Sequence, residues 1–152
     1  MNRLHLEFDP RLNRVRSNAV RAIVNQVWTT HAVHNADLTI IFGDDALLSR
    51  LKEEFFHVRQ LTDVIAFRLN DDREPSPEGE VYISLPRARE NAAQYQEPEA
   101  REIARLVIHG CLHLLGFDDR SEEEQLAMRS REDELLAQVP WQELIALKQD
   151  ER

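Results

Sequence analysis

The sequence predicts an α+β fold in which helices pack against a single mixed β-sheet of about four strands. Two observations support this fold class. The candidate elements follow the order strand, helix, strand, helix, two strands and then helices only, which is typical of one sheet covered by helices. Hydrophobic residues make up 42% of the chain and charged residues 31%, as expected for a chain that folds around a core.

Four segments have the alternating or β-branched, apolar character of strands. The first, residues 3–8, alternates Leu4, Leu6 and Phe8 with polar partners, which indicates a half-buried strand. The other three strand segments are residues 37–42, 63–69 and 80–85. The segment 70–79 is rich in Asp, Pro, Ser and Gly and is therefore predicted to be an exposed loop.

Apolar residues recur at helical spacing in six further segments. These helical segments are approximately residues 15–30, 44–55, 86–94, 98–115, 121–138 and 141–148. Asp44 or Asp45 can cap the second helix, and Ser121 with Glu124 forms a capping box for the fifth. The apolar side of the second helix is predicted to be Leu47, Leu48, Leu51 and Phe55. The core face of the fourth is predicted to be Ile103, Leu106, Val107, Cys111 and Leu114.

The length and the cysteine content predict one cytoplasmic domain. A chain of 152 residues has the size of a single domain, which we assign to residues 1–152. No apolar run approaches the ~20 residues that span a membrane, and the N-terminal segment lacks the apolar centre of a signal peptide. Cys111 is the only cysteine, so no intramolecular disulfide can form, as is usual in a reducing compartment.

The net charge argues against broad electrostatic binding of nucleic acid. The chain has 19 basic and 28 acidic residues and a formal net charge of −9. Nucleic-acid-binding proteins usually present a basic surface. Much of the acid is concentrated between residues 122 and 134, however, so a local basic patch elsewhere stays compatible with the composition.

The strongest chemical signal lies at the end of the fourth predicted helix. His109 and His113 are four residues apart, so both imidazoles lie on one helix face about one turn apart and can bind one metal ion. Gly116 then ends the helix, and Asp118 and Asp119 follow. A carboxylate just past this turn can come back toward the histidines. Two imidazoles and one carboxylate, with a fourth position left to water, are the ligand set of a catalytic zinc ion.

A plainer interpretation is one core histidine and one surface histidine. Apolar neighbours such as Ile108 and Leu112 argue against it, because buried imidazoles without partners are costly. Gly110 lies between the histidines and costs ~1 kcal/mol of helix propensity relative to alanine, which suggests a close approach at this point. Metalloproteases have a glutamate, the general base, directly after the first histidine. Gly110 occupies that position, which favours another hydrolase over a peptidase.

Three segments resemble one known family. Residues 109–119, HGCLHLLGFDD, resemble the signature H-G-x-L-H-L-x-G-(Y/F)-D-H of the YbeY family of zinc-dependent endoribonucleases at ten of eleven positions. Residues 62–67, TDVIAF, are similar to the family's T-D-V-L-S-F, and residues 79–84, GEVYIS, to its G-D-I-x-I-S. The length and the strand order also agree, so the resemblance covers nearly the whole chain.

The resemblance implies one zinc ion per chain, held by His109, His113 and Asp119. It implies cleavage of single-stranded RNA, roles in 16S rRNA 3′-end maturation and ribosome quality control, and the ribosomal small subunit as a partner. Neither a membrane nor DNA is an expected partner. Asp119 stands where the family has a third histidine, and a carboxylate is a harder and more anionic ligand, so we expect weaker Lewis acidity or tolerance of other divalent ions. Asp118 is the alternative ligand, or else a turn former or a hydrogen-bond partner of a ligand.

The candidate catalytic residue is Arg59. The family commonly has an arginine six residues before Thr62, where this chain has Phe56. Arg59, with His57 beside it, could bind a phosphate instead, although both are equally compatible with solvated loop residues. Two other functions stay open at this point. They are a metal-dependent peptidase or other hydrolase, and a ribosome-associated binding protein in which the metal is structural or absent.

Overall fold

The computed structural model describes residues 1–12 and 14–145, which contain one four-stranded mixed sheet. The strands are β1 (Arg3–Phe8), β2 (Asp37–Gly43), β3 (Val64–Arg68) and β4 (Glu78–Ser84). Their order across the sheet is β1-β2-β4-β3, with β1, β2 and β4 parallel and β3 antiparallel to β4. The predicted α+β fold with a single mixed sheet of four strands is confirmed.

Five α-helices connect and cover these strands. They are α1 (Ser17–Thr30), α2 (Asp45–Phe56), α3 (Leu85–Tyr95), α4 (Glu99–Leu114) and α5 (Glu122–Leu136), with short 3-10 turns at Pro10–Leu12 and Trp141–Glu143. Each lies within two residues of its predicted bounds except at the C-terminal side, where the predicted helix 141–148 is a 3-10 turn ending at Glu143. Residues 146–148 of that prediction lie outside the described part of the chain. In the described chain, no helix is both long enough and apolar enough to cross a membrane.

Helix α4 is the centre of the fold. It packs against β3, β4, α1, α3 and α5. Its predicted core face is confirmed, because Ile103, Leu106, Val107, Cys111 and Leu114 are all buried. Burial also raises the pKa of the Cys111 thiol to about 12. The expected placement of the two histidines on a central helix is therefore correct.

Gly110 is required by the packing of α4 on the sheet. A Cβ at this position would lie 2.5 Å from Cγ1 of Val81, a fully buried residue of β4. The close approach that the glycine suggested is therefore an approach of helix to strand. It brings the backbone of α4, and with it His109 and His113, tightly against β4.

The predicted apolar side of α2 is wrong in one respect. Leu48 is the buried residue of this helix, whereas 60% of Phe55 is exposed. The helix begins where predicted, since the Asp44 side chain accepts a hydrogen bond from the backbone N–H of Leu47. It ends at His57, whose backbone adopts the left-handed conformation with φ of 57°. The cause of the error is that α2 lies at the margin of the sheet, where Phe55 meets the Phe67 ring of the edge strand β3 edge-on and the rest of its ring faces solvent.

The turn after α4 sets the position of the aspartates. Gly116 has a φ of 99°, a conformation that L side chains rarely adopt, and the N–H of Phe117 donates back to the carbonyl oxygen of Leu112. Helix α5 then begins with the predicted capping box, in which Ser121 and Glu124 satisfy each other's backbone N–H groups. The segment between these two helix ends is short, so Asp119 is held close to the end of α4.

Candidate metal centre

Three side chains meet beside the end of α4. The Nε2 atoms of His109 and His113 are 3.0 Å apart, and Oδ2 of Asp119 lies 3.5 Å from each of them. The side chains are 15%, 27% and 38% exposed, respectively, so the cluster is open to solvent on one side. Within the described chain, these residues form the group of His, Cys, Asp or Glu side chains that could hold a metal ion.

The spacing of the three ligand atoms fits a zinc ion. Tetrahedral zinc with bonds of about 2.0–2.2 Å places its ligand atoms roughly 3.3 Å apart, close to the distances observed here. Two Nε2 lone pairs that face each other at 3.0 Å are also unfavourable unless a cation or a proton lies between them. The donor set of two imidazoles and one carboxylate therefore suits a divalent metal, as the sequence predicts.

The two neighbouring aspartates face different cavities. Asp119 lines the cavities that contain the histidines, whereas Asp118 lines a separate one beside Phe117 and Arg131. The geometry therefore favours Asp119 as the third ligand. Asp118 belongs to the turn between the two helices.

His109 has a partner that sequence reasoning missed. Its Nδ1 atom lies 2.6 Å from Oε2 of Glu132, a carboxylate on α5 whose side chain is only 2% exposed. When Nδ1 carries the proton and donates it to this carboxylate, Nε2 presents its lone pair to the cluster. Glu132 therefore fixes both the ring orientation and the tautomer that a metal requires.

Glu132 belongs to a buried ion-pair network centred on Arg105. Arg105 donates two hydrogen bonds to the carboxylate of Glu102, at 2.8 and 2.7 Å, and one to Glu132 at 3.2 Å. Burial alone would raise the pKa of Glu132, but the hydrogen bond from His109, together with the charge and the hydrogen bond of Arg105, outweighs it and holds the pKa below its usual range. Glu132 is therefore an anion, which is the form that accepts the proton of His109 most strongly.

A weak signal for Glu132 does exist in the sequence. Met128, Glu132 and Leu135 recur at helical spacing, so the carboxylate lies on the same face of α5 as two buried apolar residues. An acidic residue on an apolar helix face requires a partner. The pattern does not say which one, because His109 is 23 residues away in the chain.

The metal cluster opens onto a cleft along the exposed edge of β3, called here the β3 cleft. Its basic lining residues are Lys52, Arg68 and Arg120, and its acidic ones are Asp63 and Asp119. Strand β3 forms one wall of the cleft, and Thr62 also lines it. Ser84, at the end of β4, is fully buried and donates to Asp45, so it does not line the cleft.

Arg59 is not one of the residues that line the β3 cleft. Its side chain is 87% exposed, and its Nε donates to Oε1 of Glu53 at 3.1 Å. The residue that shares the cleft with the histidines is Phe56, three positions earlier. A role for Arg59 in phosphate binding therefore stays a prediction.

Comparisons with known proteins show the family to which the chain belongs. The chain is 37% identical over 115 residues to an endoribonuclease YbeY from Flavobacterium psychrophilum, an alignment that covers 74% of this chain and 79% of the relative. It is 34% identical over 132 residues to an endoribonuclease YbeY from Carboxydothermus hydrogenoformans, covering 87% and 89%. The solution structure of TM1509 from Thermotoga maritima has a TM-score of 0.60 at 22% identity, with 91% of each chain covered, which shows a shared fold. The family model of endoribonuclease YbeY matches residues 7–140, and the chain therefore belongs to the endoribonuclease YbeY family.

Proposed function

We propose that residues 1–152 form a single hydrolase domain that cleaves single-stranded RNA with one zinc ion held by His109, His113 and Asp119. The observation that carries this proposal is the cluster of their three ligand atoms, at 3.0–3.5 Å, in a chain of the endoribonuclease YbeY family. When bound, zinc would supply Lewis acidity that polarises a phosphodiester and makes water a stronger nucleophile.

The protein's own residues orient the site and attract the substrate. Glu132 holds His109 so that Nε2 faces the cluster, as described above. Lys52, Arg68 and Arg120 bring positive charge to the β3 cleft, where the phosphates of an RNA strand would lie. The four oxygens that accept hydrogen bonds from Arg68 are uncharged, so its charge is available to a phosphate.

The physiological substrate we propose is ribosomal RNA. The relatives are named endoribonucleases, which supports RNA as the substrate class. Maturation of the 16S rRNA 3′ end, ribosome quality control and binding to the ribosomal small subunit are narrower proposals that rest on the family resemblance. DNA is not proposed as a substrate.

A metal-dependent peptidase is the weaker alternative. The usual general base would stand at position 110, and a side chain there would collide with Val81. The glutamate of a peptidase cannot therefore be accommodated without moving α4 from the sheet. A binding protein with a structural or absent metal is distinguished from an enzyme by the experiment below.

The test compares cleavage and metal content in the same preparations. Wild type is expected to cleave a labelled single-stranded RNA and to contain about one zinc per chain, whereas His113→Ala and Asp119→Ala lose both properties because a ligand is missing. Asp118→Ala and His34→Ala are the matched controls. Asp118 faces another cavity, and His34 is an exposed histidine that is distant in sequence from His109 and His113. A duplex RNA, a single-stranded DNA and a casein substrate define the substrate class.

The outcomes separate the three functions. Equal RNA cleavage by wild type and His113→Ala would rule out a ribonuclease activity that depends on this metal site, whatever metal is bound. Zinc binding without cleavage of any substrate would instead indicate a structural metal. Cleavage of casein but not of RNA would favour the peptidase.

A further inference from the structure

Two phenylalanines at the end of α2 are unusually exposed for aromatic side chains. Phe55 is 60% exposed and Phe56 46%. Both rings contact Phe67 of β3, Phe56 in a nearly parallel stack at 5.9 Å and Phe55 edge-on at 5.2 Å between centroids. The contact with Phe67 thus fixes the position of each ring, while much of the ring faces solvent.

Only one of the two phenylalanines lines the β3 cleft. Phe56 forms part of its wall together with His113 and Asp119, whereas Phe55 is not among the residues that define it. The helix ends directly after Phe56, because His57 turns into the left-handed conformation. This places an exposed aromatic ring in the same cavity as the metal ligands.

The surroundings of Phe56 are basic although the chain is acidic. Nζ of Lys52, one helical turn earlier, lies 4.8 Å from the centroid of the Phe56 ring. The β3 cleft has three Lys or Arg residues against two Asp, whereas the whole chain has 19 basic against 28 acidic residues. The charge beside this ring is therefore complementary to a polyanion.

We propose that Phe56 is a stacking platform for one nucleobase of a single-stranded RNA bound in the β3 cleft. Lys52, whose ammonium lies over the ring in the free protein, would turn from the ring to the adjoining phosphate when the base stacks. This inference rests on the proposed function and adds a base-binding subsite to it. Any nucleobase has a π-face, so a phenylalanine platform binds with little sequence preference. In a duplex both faces of each base are already stacked, so the same platform selects for single strands.

A protein partner on the exposed apolar surface is the competing occupant. Such a partner would bury Phe55, the more exposed ring, together with Val58 and Leu61, which are 37% and 57% exposed. An RNA strand in the cleft would use Phe56 and leave Phe55 in solvent. The two phenylalanines therefore form a matched pair for the test, since they share a helix and contact the same Phe67 ring.

The experiment measures binding of a fluorescent single-stranded hexaribonucleotide to the full chain by anisotropy, both as purified and with a chelator that prevents cleavage. Phe56→Ala is expected to weaken binding about 5- to 100-fold, the range for loss of one stacked base. Phe56→Trp should bind at least as well as wild type. Phe55→Ala should stay within about two-fold, as for a surface residue outside the contact.

An abasic oligonucleotide series separates stacking from a general structural effect. Removing one base at the stacked position should weaken binding to wild type by about the same factor as Phe56→Ala, roughly 5- to 100-fold, and should not weaken binding to Phe56→Ala any further. Thermal unfolding of each variant checks that the fold is intact.

Two results would overturn the inference. One is equal affinity of wild type and Phe56→Ala for the intact oligonucleotide. The other is an equal loss in Phe55→Ala and Phe56→Ala, which would indicate a protein-docking or structural role for the whole surface. If the protein binds RNA through Phe56 in a base-dependent way but cleaves no RNA, the base-binding subsite is supported and the proposed enzymatic function is ruled out. Failure of the subsite and failure of the proposed function are therefore distinguishable.

Discussion

The two sides of the metal centre are built in opposite ways. On the α5 side, Arg105, Glu102 and Glu132 are 12%, 7% and 2% exposed and are joined by hydrogen bonds of 2.7–3.2 Å. On the side of the β3 cleft, Phe56 and Arg120 are exposed, and Lys52 rests on an aromatic ring.

This difference corresponds to two different tasks. Metal ligands must be held in one geometry, and buried charge-assisted hydrogen bonds restrict motion because every displaced group would lose its partner in a poorly solvated site. An RNA strand is flexible and varied, so the surface proposed to contact it can consist of long, solvated side chains. Substitutions on the α5 side are therefore expected to have larger effects than substitutions around the cleft.

The largest effect is expected for Glu132→Ala. It removes the acceptor of the His109 proton, so zinc affinity should fall about 10- to 100-fold. The free energy of unfolding should fall by about 3 kcal/mol, at the low end for a broken buried ion pair because Arg105 keeps its two hydrogen bonds to Glu102.

Chelator competition and urea unfolding measure the two effects of Glu132→Ala. Glu134→Ala is the matched control, since Glu134 is exposed on the same helix. Unchanged zinc affinity in Glu132→Ala would contradict the role of the α5 side in holding the ligands.

A smaller loss is expected for Gly110→Ala. Overpacking against Val81 costs about 1–3 kcal/mol, and alanine recovers ~1 kcal/mol of helix propensity, so the net destabilisation should be about 0–2 kcal/mol. Denaturant unfolding in wild-type and Val81→Ala backgrounds measures it. The destabilisation by Gly110→Ala should be smaller in the Val81→Ala background. Equal destabilisation in both backgrounds would show that the Val81 side chain does not cause it.

The smallest effect is expected for Arg59→Ala. Its exposed pair with Glu53 contributes little, so stability should change by less than about 0.5 kcal/mol. If Arg59 contacts an RNA phosphate, the slope of log affinity against log salt should fall by about 1. Arg73→Ala is the control, since Arg73 is 90% exposed and paired with Asp71. An unchanged slope of log affinity against log salt in Arg59→Ala would show that Arg59 does not bind an RNA phosphate.

Local patterns brought the two histidines together because the distance between them is short in the chain. Four residues separate His109 from His113, and helix geometry alone brings them together. The choice between Asp118 and Asp119 was less certain, because one residue changes the direction of a side chain in a turn. In the structure Asp119 lies 3.5 Å from both histidines, whereas Asp118 lines another cavity.

Local patterns could not predict contacts between residues that are distant in the chain. The periodicity of α2 placed Phe55 on its apolar side correctly, but a pattern does not reveal whether another element covers that side. The sheet ends there, so the ring is exposed. Phe56, which the sequence showed merely as a departure from the family, lies in the cleft for the same reason.

The sequence by itself determined the fold class, the element order and the placement of His109 and His113 on one helix face, because hydrophobic periodicity and helical spacing are local properties. It offered both Asp118 and Asp119 beside them, and the structure places Asp119 in the cluster. Only the tertiary structure decided that Glu132 orients His109, that Gly110 serves the contact with Val81, and that a basic cleft exists in a chain of net charge −9. Each of these depends on which elements meet across the core. That is set by the packing of the whole chain, and a single segment carries at most a weak signal of it, such as the acidic Glu132 on an apolar helix face.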